Sequence, residues 1–500
     1  MLLRNSLWHL SGSAIPALVA LATVPLLIQG LGLEGFGIVT LITSVVGYFG
    51  ILDVNLSAGS IKYLSQYHAQ QDAQRFAETF WFGALFYGVL GLAGGCLLAL
   101  LARPVLMHYF TVSQDLLPAT LLALHIAAVG FAVSQLQNYL LVVPQALQRY
   151  DRSAQGEAFF GVLVNVISAA VAVAGGGIAG VIAARVTVSA VNLLWLVWLL
   201  TRLDIPLQPA WPRREIRAAL TGFSAYAYLS RLSSMLHQHA DKLIVGSLAG
   251  PVALSFYAVP NQLANRVLGL TYRLGSVVYP RVSALAAMNQ RESLQQLYLD
   301  ATRWLSYLNL AVLGIIALAG EEFLRRWVGA EFVSEGYPVL LMITLALLID
   351  SLTQIPSLVN DGLGHPRITG RFAFARGLIG VPMVWAGTQL AGITGAALAH
   401  LLASAIMGLL FLLYVHGRTV PVSLAHAFNR AWWPSLSAGA MALLLTLPLK
   451  WLLPSGVSGL LMLVAAALAL QSLFALALLM NDAERGALLA IARRHLLKVS

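Results

Sequence analysis

Residues 35–59 read GFGIVTLITSVVGYFGILDVNLSAG. No residue from Gly35 to Leu52 carries a charge. A carboxylate (Asp53) and an amide (Asn55) then arrive before the run has ended, and Lys62 follows nine residues after the aspartate. As a helix, such a stretch crosses a hydrocarbon core of about 30 Å, for which about 20 residues suffice. An aspartate at its end then caps, pairs, or does something functional. The rest of the chain decides whether the crossing reading holds.

Of the 500 residues, 59% are hydrophobic and 10% charged, with a mean hydropathy of +0.80. Soluble domains carry roughly 25% charged residues. Apolar runs of about 18 residues or more recur along the whole length. The ten-residue alternation of a membrane β-barrel does not appear. The single cysteine, Cys96, excludes an internal disulfide and a cysteine-based zinc site. The first run, Leu7 to Gly30, follows one basic residue and ends LIQGLGLEG, unlike a signal-peptidase site, so it reads as a span. The expected fold is an all-α polytopic membrane protein with about fourteen transmembrane helices. They lie near 7–30, 35–59, 79–102, 117–142, 158–175, 177–201, 217–246, 251–279, 301–320, 336–359, 372–389, 391–415, 432–452 and 456–480.

Lysine and arginine orient this ladder. With the N-terminus inside, 21 of the 30 fall in inside segments, 4 outside and 5 within spans. Both termini are expected in the cytoplasm. Loop bias also accounts for the net charge of +10 without nucleic acid as a partner.

The second half echoes the first. GIAGVIAARV (177–186) aligns with GITGAALAHL (392–401) at an offset of 215, with four of ten residues identical. KYLSQYHAQQDAQRF (62–76) has a counterpart in PRVSALAAMNQRESLQQL (280–297), and Pro144 pairs with Pro356. Such an offset covers six spans, so both copies enter the membrane in the same direction, as a parallel repeat. The expected organisation is a six-helix bundle (1–201), a second one (202–415), two additional helices (416–480) and a basic tail (481–500).

Ionisable residues at span depth are costly against lipid and by default face a cavity or a partner. They are Asp53, Arg185, Arg231, Asp241, Lys242, Arg266, Arg273, Asp350 and His400. At 100° per residue, Ser224, Tyr228, Arg231, Gln238, Asp241 and Lys242 fall within an arc of about 140° on the seventh span. On the eighth, Gln262, Arg266 and Arg273 share a face. Interhelical pairing competes as a reading for Arg185 and His400. Capping competes for Asp53, and snorkelling for Asp241 and Lys242. Five positive groups against three negative leave the depth cationic, and arginine forks suit phosphate oxygens. His237 and His239, two apart on a helix, point about 200° apart and cannot share a metal. No phosphate loop, dinucleotide fingerprint or sizeable soluble domain appears, so neither an enzyme nor an ATP-driven pump is expected, and no cofactor.

LGLEGFGIVTLITSVVGYFGILDVNLSAGSIKYLSQY (31–67) resembles the opening of the Wzx-type polysaccharide-biosynthesis flippases. Their superfamily also holds multidrug-and-toxin exporters and lipid II flippases. Asp241, Tyr257 and the turn Gly364–Arg367 fit the same pattern. One departure is Asn55, where the family often has glycine. The resemblance implies a flippase for undecaprenyl-diphosphate-linked oligosaccharide, an O-antigen or exopolysaccharide repeat unit, in the bacterial inner membrane. It implies alternating access, membrane lipids as surroundings, and a polysaccharide polymerase and chain-length machinery as partners. Arg231, Arg266 and Arg273, with Gln238 and Gln262, are expected to hold the diphosphate. Asp53, Asp241, Asp350 and Arg185 are expected at an ion-coupling (H⁺ or Na⁺) or gating position. A drug or metabolite exporter of the same superfamily is the alternative; a cation exporter would carry an excess of acids at this depth.

Overall fold

The computed structural model describes the backbone of residues 2–486 except 204, 207, 276, 482 and 483, and side chains over that range except 2–14, 150, 219, 222–227, 229–238, 270 and 273. Among the described residues every regular element is a helix. They are α1 (Leu2–Phe49), α2 (Leu56–Ala69), α3 (Ala73–Tyr109), α4 (Leu117–Leu140), α5 (Val142–Ala146), α6 (Tyr150–Val173), α7 (Gly177–Arg202), α8 (Arg214–Leu248), α9 (Gly250–Gly275) and α10 (Val278–Ala287). There follow α11 (Arg291–Trp327), α12 (Glu331–Ser334), α13 (Gly336–Leu352), α14 (Gln354–Gly362), α15 (Pro366–Arg418), α16 (Leu424–Ala427), α17 (Trp433–Thr446), α18 (Leu449–Leu452) and α19 (Val457–Phe474). Hydrocarbon offers the backbone no hydrogen bonds, so an apolar chain of this kind satisfies its peptide groups within helices.

Ten described segments are long and apolar enough to cross a membrane. Two of them each hold two of the expected spans. The helix α1 runs through a corner at Gly32 (φ 70°), and α15 through one at Ala391–Gly392 (φ 58° at the glycine). Glycine takes these left-handed angles at little cost, so the chain turns there without a loop. The expected seventh and eighth spans overlap α8 and α9, neither of which is among those ten.

The second expected span is shorter than read. Helix α1 stops at Phe49, one 3₁₀ turn covers Gly50–Leu52, and Asp53 is extended (φ −80°, ψ 104°). Asn55 is left-handed (φ 58°, ψ 41°), and only then does α2 begin. Hydropathy ran the span on to Gly59 because Ser57, Ala58 and Gly59 look innocuous; the turn is set by Asp53, whose Oδ1 accepts the Asn55 N–H at 2.9 Å. Asn55 also disposes of the departure noted above. The position needs a left-handed residue, and asparagine is among the few besides glycine that supply one.

Left-handed residues recur at nearly one spacing. Gly32 and Gly250 are 218 apart, Gln71 and Asn289 218, Gln148 and Gly364 216, and Gly177 and Gly392 215. Helices α3 and α11, which follow the second of these corners in each half, are both 37 residues long. The left-handed corners thus recur at the spacing of the sequence echo.

By packing, the chain divides into residues 1–262 with 373–399, and residues 263–372 with 400–500. In the first unit α2, α3 and α4 enclose a core of Leu56, Leu64, Phe76, Phe80, Tyr87 and Tyr139. The Tyr87 and Tyr139 rings stack at 5.2 Å, and the Tyr139 hydroxyl donates to the Phe80 carbonyl at 2.9 Å. An aromatic pair of this kind is worth about 0.5–1.5 kcal/mol beyond its buried area.

In the second unit Tyr298, Phe411, Val415 and Trp432 form the corresponding core. His416 sits inside it, with Nδ1 on the Leu412 carbonyl (2.8 Å) and Nε2 accepting from the Tyr298 hydroxyl (2.7 Å). Helices α18 and α19 and the segment after α19 are pinned to α11 along its length. Lys450 meets Glu321 at 2.7 Å, Tyr307 donates to the Gln471 carbonyl, and Arg303 meets Glu484 at 2.9 Å. Outward, Leu92, Leu100, Leu194, Leu410, Leu444 and Leu461 are exposed, as a lipid-facing surface requires.

Candidate functional site

Asp53 is 4% exposed. Besides the Asn55 N–H, its Oδ1 accepts the Tyr87 hydroxyl at 2.7 Å. Tyr87 in turn accepts from the Ser57 N–H (3.0 Å) and hydroxyl (2.8 Å). The carboxylate therefore ties the end of α1, the start of α2 and the middle of α3 into one knot. Close by, the Tyr228 hydroxyl of α8 donates to the Ile51 carbonyl at 2.8 Å.

Asp241 is 6% exposed and lies within the uninterrupted helix α8. Its Oδ2 accepts from the Tyr257 hydroxyl (3.0 Å) and the Asn261 amide (3.4 Å) of α9, and its Oδ1 from the Lys242 N–H (2.8 Å). The corner at Ala249–Gly250 folds α9 back on α8, which brings these residues together. Tyr257 is fully buried. The outer side of this hairpin lies against α1. The Ser255 hydroxyl donates to the Leu33 carbonyl at 2.7 Å, and a Cβ added at Gly37 would stand 1.9 Å from the Pro251 carbonyl oxygen. Only glycine fits so close an approach of backbone to backbone.

Arg185, partly buried on α7, donates from Nε to the Ser168 hydroxyl (3.3 Å) and from Nη1 to the Thr43 hydroxyl (3.1 Å). It links α7, α6 and α1 without an acid. Asp350 is buried on α13 and engaged there. Arg266 is exposed on α9 and makes no hydrogen bond or ion pair with a described residue. Gln262, one turn earlier, is half-buried. The side chains of Arg231, Gln238 and Arg273 lie outside the described residues.

The structure groups two of the expected acids with a tyrosine each, Asp53 with Tyr87 and Asp241 with Tyr257. Tyr87 and Asn261 were missed as partners, and so was Glu78. This glutamate is 2% exposed and holds Arg213 by a 3.1 Å ion pair and by its N–H at 3.1 Å, anchoring the start of α8 to α3. For Asp241 a signal existed: Asp241 and Tyr257 are equally far from Ala249 on either side of a two-residue corner.

Residues 31–335 match the family model described as "Polysaccharide biosynthesis protein". A Shigella flexneri protein named for O-antigen transport is 24% identical over 416 residues, covering 80% of this chain and 94% of its own. A Haloferax volcanii protein named as the flippase AglR is 23% identical over 429 residues, covering 84% and 83%. Among solved structures, the lipid II flippase MurJ in an inward closed conformation superposes with a TM-score of 0.72 at 13% identity, covering 93% of this chain and 97% of its own. An inward-facing multidrug resistance transporter of the MATE family and MOP superfamily gives 0.69 at 15% identity, covering 81% and 94%. These two likenesses concern the fold.

Proposed function

The chain belongs to the polysaccharide biosynthesis protein family, and from that premise we propose that it is a flippase for lipid-linked oligosaccharide. It is a multi-pass membrane transporter and not an enzyme. The observation that carries the reading to the substrate is an imbalance at membrane depth. Asp53, Asp241 and Asp350 are each buried and engaged, whereas Arg266 is exposed on α9, read from the sequence as a span, with no described partner. A free guanidinium there attracts an anion, and a diphosphate linking sugar to lipid is one.

In this reading Arg266 holds the diphosphate together with Arg231, Arg273, Gln238 and Gln262. The lipid is undecaprenyl and its tail stays in the bilayer. The two repeated halves, 1–201 and 202–415, alternate access, with 416–480 as appended helices. Asp53, Asp241 and Asp350 are the candidates for coupling to H⁺ or Na⁺, and Arg185 braces the first half. Lysine and arginine bias supports an inner-membrane orientation with both termini cytoplasmic. An inside-negative potential then favours outward movement of an anionic headgroup by roughly 2.3 kcal/mol per charge per 100 mV. A polymerase and chain-length machinery would receive the product.

The test is export of surface polysaccharide in a deletion strain carrying Arg266→Ala. Export is expected to fall at least about tenfold, the scale of one lost charge-assisted contact. Unchanged export from a folded variant removes the diphosphate role. Drug sensitivity of the deletion strain with normal polysaccharide would favour the exporter reading instead.

A further inference from the structure

Between α4, α6 and α7 lies a cavity of about 430 Å³ whose polar lining, Arg185 apart, the preceding reading does not use. Gln137 and Asn138 come from α4, Glu157 from α6, and Arg185, Ser189 and Asn192 from α7. On α7 these last three stand at i, i+4 and i+7, one face of the helix. All lie within segments apolar enough to span a membrane. Polar groups at such depth face a cavity or one another, and here they do both.

Their unused capacity is informative. Asn192 is only 7% exposed, and its Oδ1 has no hydrogen-bond partner. A buried acceptor left unpaired costs about 1–3 kcal/mol, so an occupant that fills it is favoured. Gln137 spends its carbonyl oxygen on the Ser189 hydroxyl, which leaves its NH₂ as a donor. Arg185 has committed Nε and Nη1 and keeps Nη2. Glu157 is exposed in the lining and forms no ion pair with a described residue. The set therefore mixes donors and acceptors, and its one cation and one anion balance. A lone phosphate would leave the acceptors idle, and a metal ion would leave the donors idle. A group whose every hydroxyl both donates and accepts uses both. Phe160, with Leu141, Val164 and Val188, supplies apolar wall on which the C–H face of a ring can lie.

We propose that this cavity is a subsite for an uncharged pyranose, a neutral hexose or N-acetylhexosamine of the transported headgroup, apart from the groups that hold the diphosphate. The inference rests on the flippase reading and deepens it. Gln137, Asn192 and Glu157 hydrogen-bond the sugar, Arg185 is braced so that one nitrogen faces it, and the charge balance disfavours a hexuronate.

The experiment uses the full chain in lipid nanodiscs. Binding is measured for undecaprenyl diphosphate alone and for the same lipid bearing a neutral hexose, an N-acetylhexosamine or a hexuronate. The wild type is expected to hold one of the two uncharged sugars about tenfold more tightly than the bare lipid. Asn192→Leu and Glu157→Gln are each expected to erase that preference and leave bare-lipid binding in place. Equal binding of all four lipids, or a preference for the hexuronate, overturns the subsite and leaves the flippase reading standing. So does retention of the preference in Glu157→Gln when Asn192→Leu loses binding to every lipid, which marks the cavity as packing. A wild type that binds none of the four sinks the flippase reading and this inference with it.

Discussion

Two acid–tyrosine pairs stand in the same packing unit, one at the end of α1 and one in the α8–α9 hairpin, and they differ in what the carboxylate holds. Asp53 serves the backbone. It fixes Asn55 in a left-handed turn and, through Tyr87, the first turn of α2. Asp241 serves side chains. Its helix runs on past it, and besides the neighbouring Lys242 N–H the carboxylate holds the side chains of Tyr257 and Asn261. The turn at Asn55 depends on its carboxylate, whereas α8 continues without one, so the comparison nominates Asp241 for coupling and Asp53 for architecture.

The largest effect should come from Asp241→Asn. Transport is expected to drop about tenfold or more, as for a group needed in each cycle, while thermal stability changes little; normal transport in the variant would remove Asp241 from coupling. Asp53→Ala should do the reverse first. It leaves the Asn55 N–H and the proton of the buried Tyr87 hydroxyl without their acceptor, at about 1–3 kcal/mol, read as a fall in the unfolding temperature. A stability equal to wild type would mean that the knot is ornamental.

Asn55 sharpens the comparison further. Asn55→Gly should be nearly silent, whereas Asn55→Val should cost about 1–2 kcal/mol because a β-branched residue resists the left-handed angles. The smallest effect concerns Glu484. Burial would raise its pKa, but the Asn481 N–H, the Trp304 indole and the Arg303 charge outweigh it and hold the carboxyl below its ordinary range. Its contribution is present above the unfolded-state pKa and is lost as the pH falls through the lower folded one. Glu484→Gln should remove less than about 1 kcal/mol, and chiefly that acid-side dependence.

Much of the fold was legible because burial in lipid writes itself into composition. The apolar runs located the helices, and the offset near 215 anticipated the repeated left-handed corners. The stop at Leu52 was not legible. Hydropathy averages over a window, and a turn held by one side-chain bond from Asp53 has no width. The site divides the same way. Asp241 and Tyr257 face each other across a corner that can be counted. Asp53 and Tyr87 are 34 residues apart, one in the turn before α2 and one on α3, and Arg185 reaches Thr43 across 142 residues. Such meetings depend on how helices lean, which no local pattern records.

Helices α3 and α11, at 37 residues each, rise about 55 Å, while the hydrocarbon they cross is about 30 Å thick. Even at a tilt of 40° the hydrocarbon accounts for only about 39 Å of axis, so roughly ten residues of each extend past it. The two helices overhang by equal lengths. A rigid label fixed to either overhang would report the direction of a transmembrane axis from outside the hydrocarbon.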